Sequence, residues 1–193
     1  MPVVLGFELN EMRFSAFSFK SLMSTTPYYP WRRSRVIWYQ IGMLIGLSAE
    51  CTATYSLAKY QDLQDHIEGW FPGAHLYNND IVDMSIVTIV FGVLTAFLFG
   101  ADFFFLALFP KRLYPHWYDV FRCSFAVVIC AGMFAAALGS TIVVAAHNAK
   151  LSGVSMDDVL KIYPHPTMNY VDWGVNIAWI VQSWIAWAGV SVS

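Results

Sequence analysis

The sequence is short of charge. Only 12% of its 193 residues are Asp, Glu, Lys or Arg, about half the ~25% of an ordinary soluble domain. A net charge of −2, with no basic stripe interleaved with aromatics, argues against a nucleic-acid partner. The three cysteines, Cys51, Cys123 and Cys130, include no CxxC pair, which argues against a disulfide framework or a zinc site. No N-x-[ST] sequon occurs, so N-glycosylated loops are not indicated. The five histidines, His66, His75, His116, His147 and His165, fall in loops or at the ends of apolar runs, where no pair can clamp a haem at bilayer depth. His66, His75 and His165, with Asp62, Asp65 and Glu68, read as solvated loop residues. No Ser–His–Asp or HExxH spacing appears. The expectation is therefore a chain without catalytic residues, metal ligands or cofactor, and not an enzyme.

What the chain has in excess is apolar residues, 58% of the total, with a mean hydropathy of +0.52. They gather in four blocks, Val36–Ala58, Ile81–Phe109, Tyr118–Ala146 and Tyr170–Val192. Each supplies the ~20 residues a helix needs to cross ~30 Å of hydrocarbon. Helices are expected because a backbone in lipid must satisfy its own hydrogen bonds. The predicted fold is an all-α, integral-membrane four-helix bundle over residues 36–193, preceded by a cytosolic or interfacial segment, residues 1–35. Arg13, Lys20, Arg32, Arg33, Arg35, Lys111, Arg112 and Arg122 outnumber Lys59, Lys150 and Lys161 on the opposite side. Both termini should then face the cytosol. The start, MPVVLGFELNEMRF, has no basic n-region and is not a cleavable signal peptide. The Arg32–Arg35 cluster makes the first span a candidate signal anchor. MRFSAFSFKSLMS reads as an interfacial stretch or part of a transit sequence. Pro27 and Pro30 break any helix before the first span.

Trp31, Trp38, Trp117 and Trp173 stand at predicted span ends, and Trp70 in the first loop, as amphipathic anchors at headgroup depth. The charged residue inside the first span is Glu50, in LSAECTATY. A charge at bilayer depth costs about 2.5–3.5 kcal/mol on insertion scales. Counting 1.5 Å per residue from the predicted span ends places Glu50, Thr88, Ser140, Thr141 and Asn176 in one polar layer. Glu50 is expected to be a protonated tie to Asn176 on the fourth span, with an ion, proton or lipid-headgroup site as the alternative. Asp102 is expected to sit at the interface near Lys111 and Arg112. Gly42 and Gly46 form a GxxxG, and Ala131, Ala135 and Gly139 repeat every four residues. Such faces let helices approach closely, inside the bundle or between protomers.

RRSRVIWYQIGMLIGLSAECTATY, the inner loop PKRLYPHWYDVF, the Ala/Gly-rich third block and NYVDWGVNIAWIVQSWIAW together resemble the MARVEL-type four-helix membrane proteins, fungal members especially. The claudin W…GLW…C…C and tetraspanin CCG signatures are missing. The resemblance implies a non-enzymatic role in organising membrane domains, apposition or traffic, through lipids and homo-oligomers. The chain departs from that family in one respect: its last block reaches Ser193, so a cytosolic partner is expected to read the first 35 residues or the PKRLYPHW loop rather than a C-terminal tail. Two alternatives remain open: an accessory subunit of a larger membrane complex, organellar or otherwise, and a small transporter or channel using Glu50. The expected location is the plasma membrane or an endomembrane, with the mitochondrial inner membrane as the alternative.

Overall fold

A computed structural model describes residues 3–4, 7–8, 17–24, 31–109, 114–163 and 166–192. Arg13, Pro27, Pro30, Pro110, Lys111, Arg112 and His165 lie outside the described residues. In chain order the elements are β1 (Val3–Val4), β2 (Phe7–Glu8), α1 (Phe19–Leu22), α2 (Arg32–Trp70), β3 (His75–Tyr77), α3 (Asn79–Leu108), α4 (His116–Ala146), β4 (Lys150–Ser152), α5 (Met156–Ile162) and α6 (Gly174–Val192). Four of these, α2, α3, α4 and α6, are long and apolar enough to cross a membrane. They form a bundle in which α2 lies against α3 and α6, and α4 closes the far side against the same two helices.

The largest departure from the sequence reading is α2, which runs past Ala58 to Trp70. Within KYQDLQDHIEGW, Tyr60, Leu63 and Ile67 fall on one face at helical spacing and are buried, so an amphipathic stripe carries the helix beyond its apolar part. Pro72 and Gly73, the latter at φ +93°, end it and turn the chain into β3. β3 pairs antiparallel with β4, Leu76 opposite Leu151. Where the two strands meet the turn, Gly153 adopts φ +82° and a Cβ there would strike the Gly73 carbonyl. A glycine is required on both counts. The fourth block also begins differently: Tyr170–Asp172 form a single 3₁₀ turn, and α6 starts at Gly174.

Two apolar clusters fill the interior. One, at the end capped by β3 and β4, includes Ala53, Tyr60, Leu63, Ile81, Val144, Tyr170 and Trp179. The other, toward the opposite base, includes Val36, Tyr39, Leu98, Phe99, Ile129, Met133 and Val190. Small residues set the helix spacing between them. A Cβ on Gly92 would lie 3.0 Å from the Glu50 Cβ and 3.1 Å from the Gly46 carbonyl, so α2 and α3 approach almost backbone to backbone.

Candidate functional site

Asn176, fully buried near the start of α6, is the hub at the cap end. Ser56 donates to its Oδ1 at 2.7 Å and the Trp179 indole N–H at 3.3 Å. Its amide donates to the Tyr60 hydroxyl at 2.8 Å and the Tyr170 carbonyl at 2.9 Å. Tyr60 and Ser56 reach this point because α2 continues as a helix, and the 3₁₀ turn brings the Tyr170 carbonyl over the α6 terminus. The Tyr170 hydroxyl donates to Asp80 at 2.7 Å, and His147 meets the other Asp80 oxygen at 2.8 Å. Burial, then the hydrogen bond and charge of Asp80, push the Tyr170 phenol far above its ordinary range, so it stays a donor. These bonds join α2, α6, the start of α3 and the end of α4. Beside them a cavity of about 500 Å³ is lined by Tyr77, Asn79, Asp80, His147, Asn148 and Lys150.

Glu50 is not part of this hub. Among the described residues its carboxyl makes no hydrogen bond, and its oxygens are not among the buried unpaired atoms. The partly buried side chain therefore opens to the outside of the bundle. Its level is fixed by Gly92, thirteen residues after Asn79 and sixteen before Leu108, about 20 and 24 Å from the two ends of α3. Glu50 stands at mid-height. The expected tie from Glu50 to Asn176 is made instead by Ser56, six residues and about 9 Å further along α2. The physical reason is the extension of α2: depth counted from Ala58 placed Glu50 too near the end.

The other residues of the anticipated polar layer have partners of their own or none. Thr88 and Ser140 are fully buried on α3 and α4 with unpaired hydroxyl oxygens. Thr141 accepts from the Trp184 indole N–H at 3.0 Å. Gly42 faces Phe99 and Val190, Gly46 faces Thr95 and Gly92, and Gly139 faces Met84, so all three pack helices within the chain. Ala131 and Ala135 differ, standing exposed on the outer face of α4. Trp31 and Trp117 are exposed at the base end, Trp38 is partly buried, and Trp173 packs edge-on against Tyr60 at the cap end.

The base end holds two ionic arrangements. Asp102, buried on α3, accepts from Tyr118 at 3.0 Å and pairs with Arg122 of α4 at 3.5 Å. Arg122 also donates to Tyr39 at 2.9 Å and to Asp119 at 2.8 Å, and lies over the Tyr114 ring at 4.7 Å. Asp102 thus turns inward to Arg122 of α4, because α3 continues as a helix to Leu108; the anticipated Lys111 and Arg112 lie outside the described residues. Arg32, fully buried, donates to the Leu106 carbonyl at the end of α3 through Nε and Nη2. Its Nη1 donates to the Ser21, Leu22 and Ser24 carbonyls. The guanidinium serves two helix C-termini, where a cation is favoured, and so docks part of the N-terminal segment on the bundle.

Among the described residues no group of three or more His, Cys, Asp and Glu is placed to hold a metal. His75 pairs with Glu68 at 2.6 Å, while the His66 ring meets Tyr163 edge-on and Trp70 at a tilt. Cys51 and Cys123 are exposed thiols. Comparison with models of known families, with curated proteins and with solved structures finds no match to this chain. Arg32, Ser56, Tyr60, Asp80 and Arg122 did not stand out as site residues in the sequence. The stripe through Ser56, Tyr60, Leu63 and Ile67 was the one signal that pointed to any of them.

Proposed function

We propose that this chain is a non-enzymatic, multi-pass membrane protein that acts by lateral association, with lipid and with copies of itself. The observation that carries this reading is how its small residues are divided. Gly42, Gly46, Gly92 and Gly139 are consumed inside the bundle, whereas Ala131 and Ala135 repeat on the outer face of α4 beside exposed Val127, Val128, Phe134 and Leu138. A face with small residues at that spacing suits helix–helix approach in lipid. Under this reading the chain is of MARVEL type, with both termini cytosolic, in the plasma membrane or an endomembrane. The test is native mass after mild solubilisation of the tagged protein. A small, lipid-carrying homo-oligomer that falls to single chains in the Ala131→Leu, Ala135→Leu variant supports the reading, and a mass unchanged by those substitutions refutes it.

Glu50 favours a second reading, an accessory subunit of a larger membrane complex, with the mitochondrial inner membrane as the alternative location. A carboxyl open to the bundle exterior at mid-height is costly in lipid and calls for a partner. Under this reading the solubilised protein runs as a discrete complex with stoichiometric partners.

A further inference from the structure

We infer that Glu50 marks the seat of a transmembrane helix from a different protein, one that carries a Lys or Arg at the middle of its span. The inference rests on the accessory-subunit reading and names the chemistry of the partner.

The chain gives its own partners to several polar side chains inside the bundle, though the Thr88 and Ser140 hydroxyls have none. Asp102 receives Arg122 and Tyr118, Asn176 receives four partners, and Thr52 donates to Gln182 across α2 and α6 at 2.6 Å. Glu50 receives none among the described residues, although it is the residue that would cost most if left bare in lipid. Its backbone is held where it is by the tight α2–α3 approach at Gly46 and Gly92. Leu47, Cys51 and Thr54 beside it on α2, and Val93 beside Gly92 on α3, are exposed. The result is an apolar face with one acid at its centre.

Depth and charge select the occupant. A lipid phosphate lies at the bilayer surface, about 20 Å from the level of Gly92 if α3 spans the hydrocarbon. A second copy of the chain in the same orientation presents its own residues at their own depths, so Glu50 would meet Glu50. The cations of α2 and α4 nearest this level are Lys59, nine residues or about 13 Å along α2, and Arg122, which is committed to Asp102 and Asp119. Neither comes to mid-height. A helix from another chain with a central basic residue supplies the missing charge and the donors together.

The probe is a synthetic 22-residue Leu/Ala transmembrane helix with one central Lys, compared with the same peptide carrying Leu there. Labelled full-length protein and labelled peptide are reconstituted in phosphatidylcholine vesicles, and association is read by energy transfer. The Lys peptide should bind roughly tenfold more tightly than the Leu peptide, and Glu50→Gln and Glu50→Leu should abolish that difference. Equal binding of both peptides, or a Lys preference that survives Glu50→Leu, overturns the inference. So does energy transfer between protein copies that is lost in Glu50→Leu, because the seat would then belong to a second copy. The native mass of the solubilised protein is measured separately. A stoichiometric complex unaffected by Glu50→Leu would retain the accessory-subunit reading while sinking the role given to Glu50.

Discussion

Replacing Asn176 with Leu tests the central claim about how the cap end is held. The substitution keeps the branching and the number of side-chain heavy atoms but removes an acceptor for Ser56 and Trp179 and a donor to Tyr60 and the Tyr170 carbonyl. Interhelical hydrogen bonds in membranes are worth about 0.6–1 kcal/mol each, because the freed groups find other partners. Ser56, for instance, falls back on the carbonyl four residues earlier in its own helix. Four such bonds give an expected loss of about 2–4 kcal/mol. The assay is reversible unfolding in mixed micelles titrated with SDS, followed by tryptophan fluorescence. Thr52→Val, which removes the single bond to Gln182, should cost about 0.6 kcal/mol. Glu50→Gln should cost nothing measurable. The reasoning fails if Asn176→Leu stays within about 0.5 kcal/mol of the parent, or if Glu50→Gln destabilises as much as Asn176→Leu does.

Other expectations follow from the same contacts. Arg32→Met strands the carbonyls that the guanidinium serves, so amide exchange at residues 19–24 should rise to that of a free segment. Arg32→Lys should rescue it only partly, since an ammonium cannot fork between two helix ends. Gly92→Val drives a side chain against the Gly46 carbonyl and Glu50 and should cost about 1–3 kcal/mol in the SDS titration, while Gly69→Ala, with open space around it, should be neutral. If the chain is instead a transporter, Glu50→Gln must abolish flux in proteoliposomes while leaving that titration curve unchanged. Glu68 gives a pH test. The Gln64 amide, then the Leu76 N–H and His75, hold its carboxyl below the ordinary value of 4.5. A depressed acid stabilises the fold fully above its unfolded pKa and loses that contribution as pH falls through its folded one. Exchange at Leu76 should therefore be slow at pH 6 and accelerate, beyond the intrinsic pH effect, only below about pH 4.5, and Glu68→Gln should remove the transition.

Apolar blocks longer than a bilayer is thick leave a chain with little choice, and so composition and run length alone determined that there would be four long helices. The same run lengths placed α3 and α4 to within two residues of their observed ends. The polar end of α2 escaped because span length was read from hydropathy, while its helix is held by a stripe of Tyr60, Leu63 and Ile67 that is buried only once Leu76 of β3, Val159 of α5 and Tyr170 pack into the same cluster. That one boundary moved Glu50 to mid-height and gave its anticipated place beside Asn176 to Ser56. Partner choice was likewise a tertiary matter. Asp102 had nearby basic residues in sequence at Lys111 and Arg112, but a helical α3 points it at α4 and hence at Arg122. The GxxxG of α2 looked the same whether it served the bundle or a neighbour, until packing filled it with Thr95, Gly92 and Phe99. Sequence fixes how long and how apolar a helix is, because those are local properties. Which face each helix turns to which neighbour depends on all four at once, and only their packing decides which polar groups are satisfied and which, like Glu50, are left facing out.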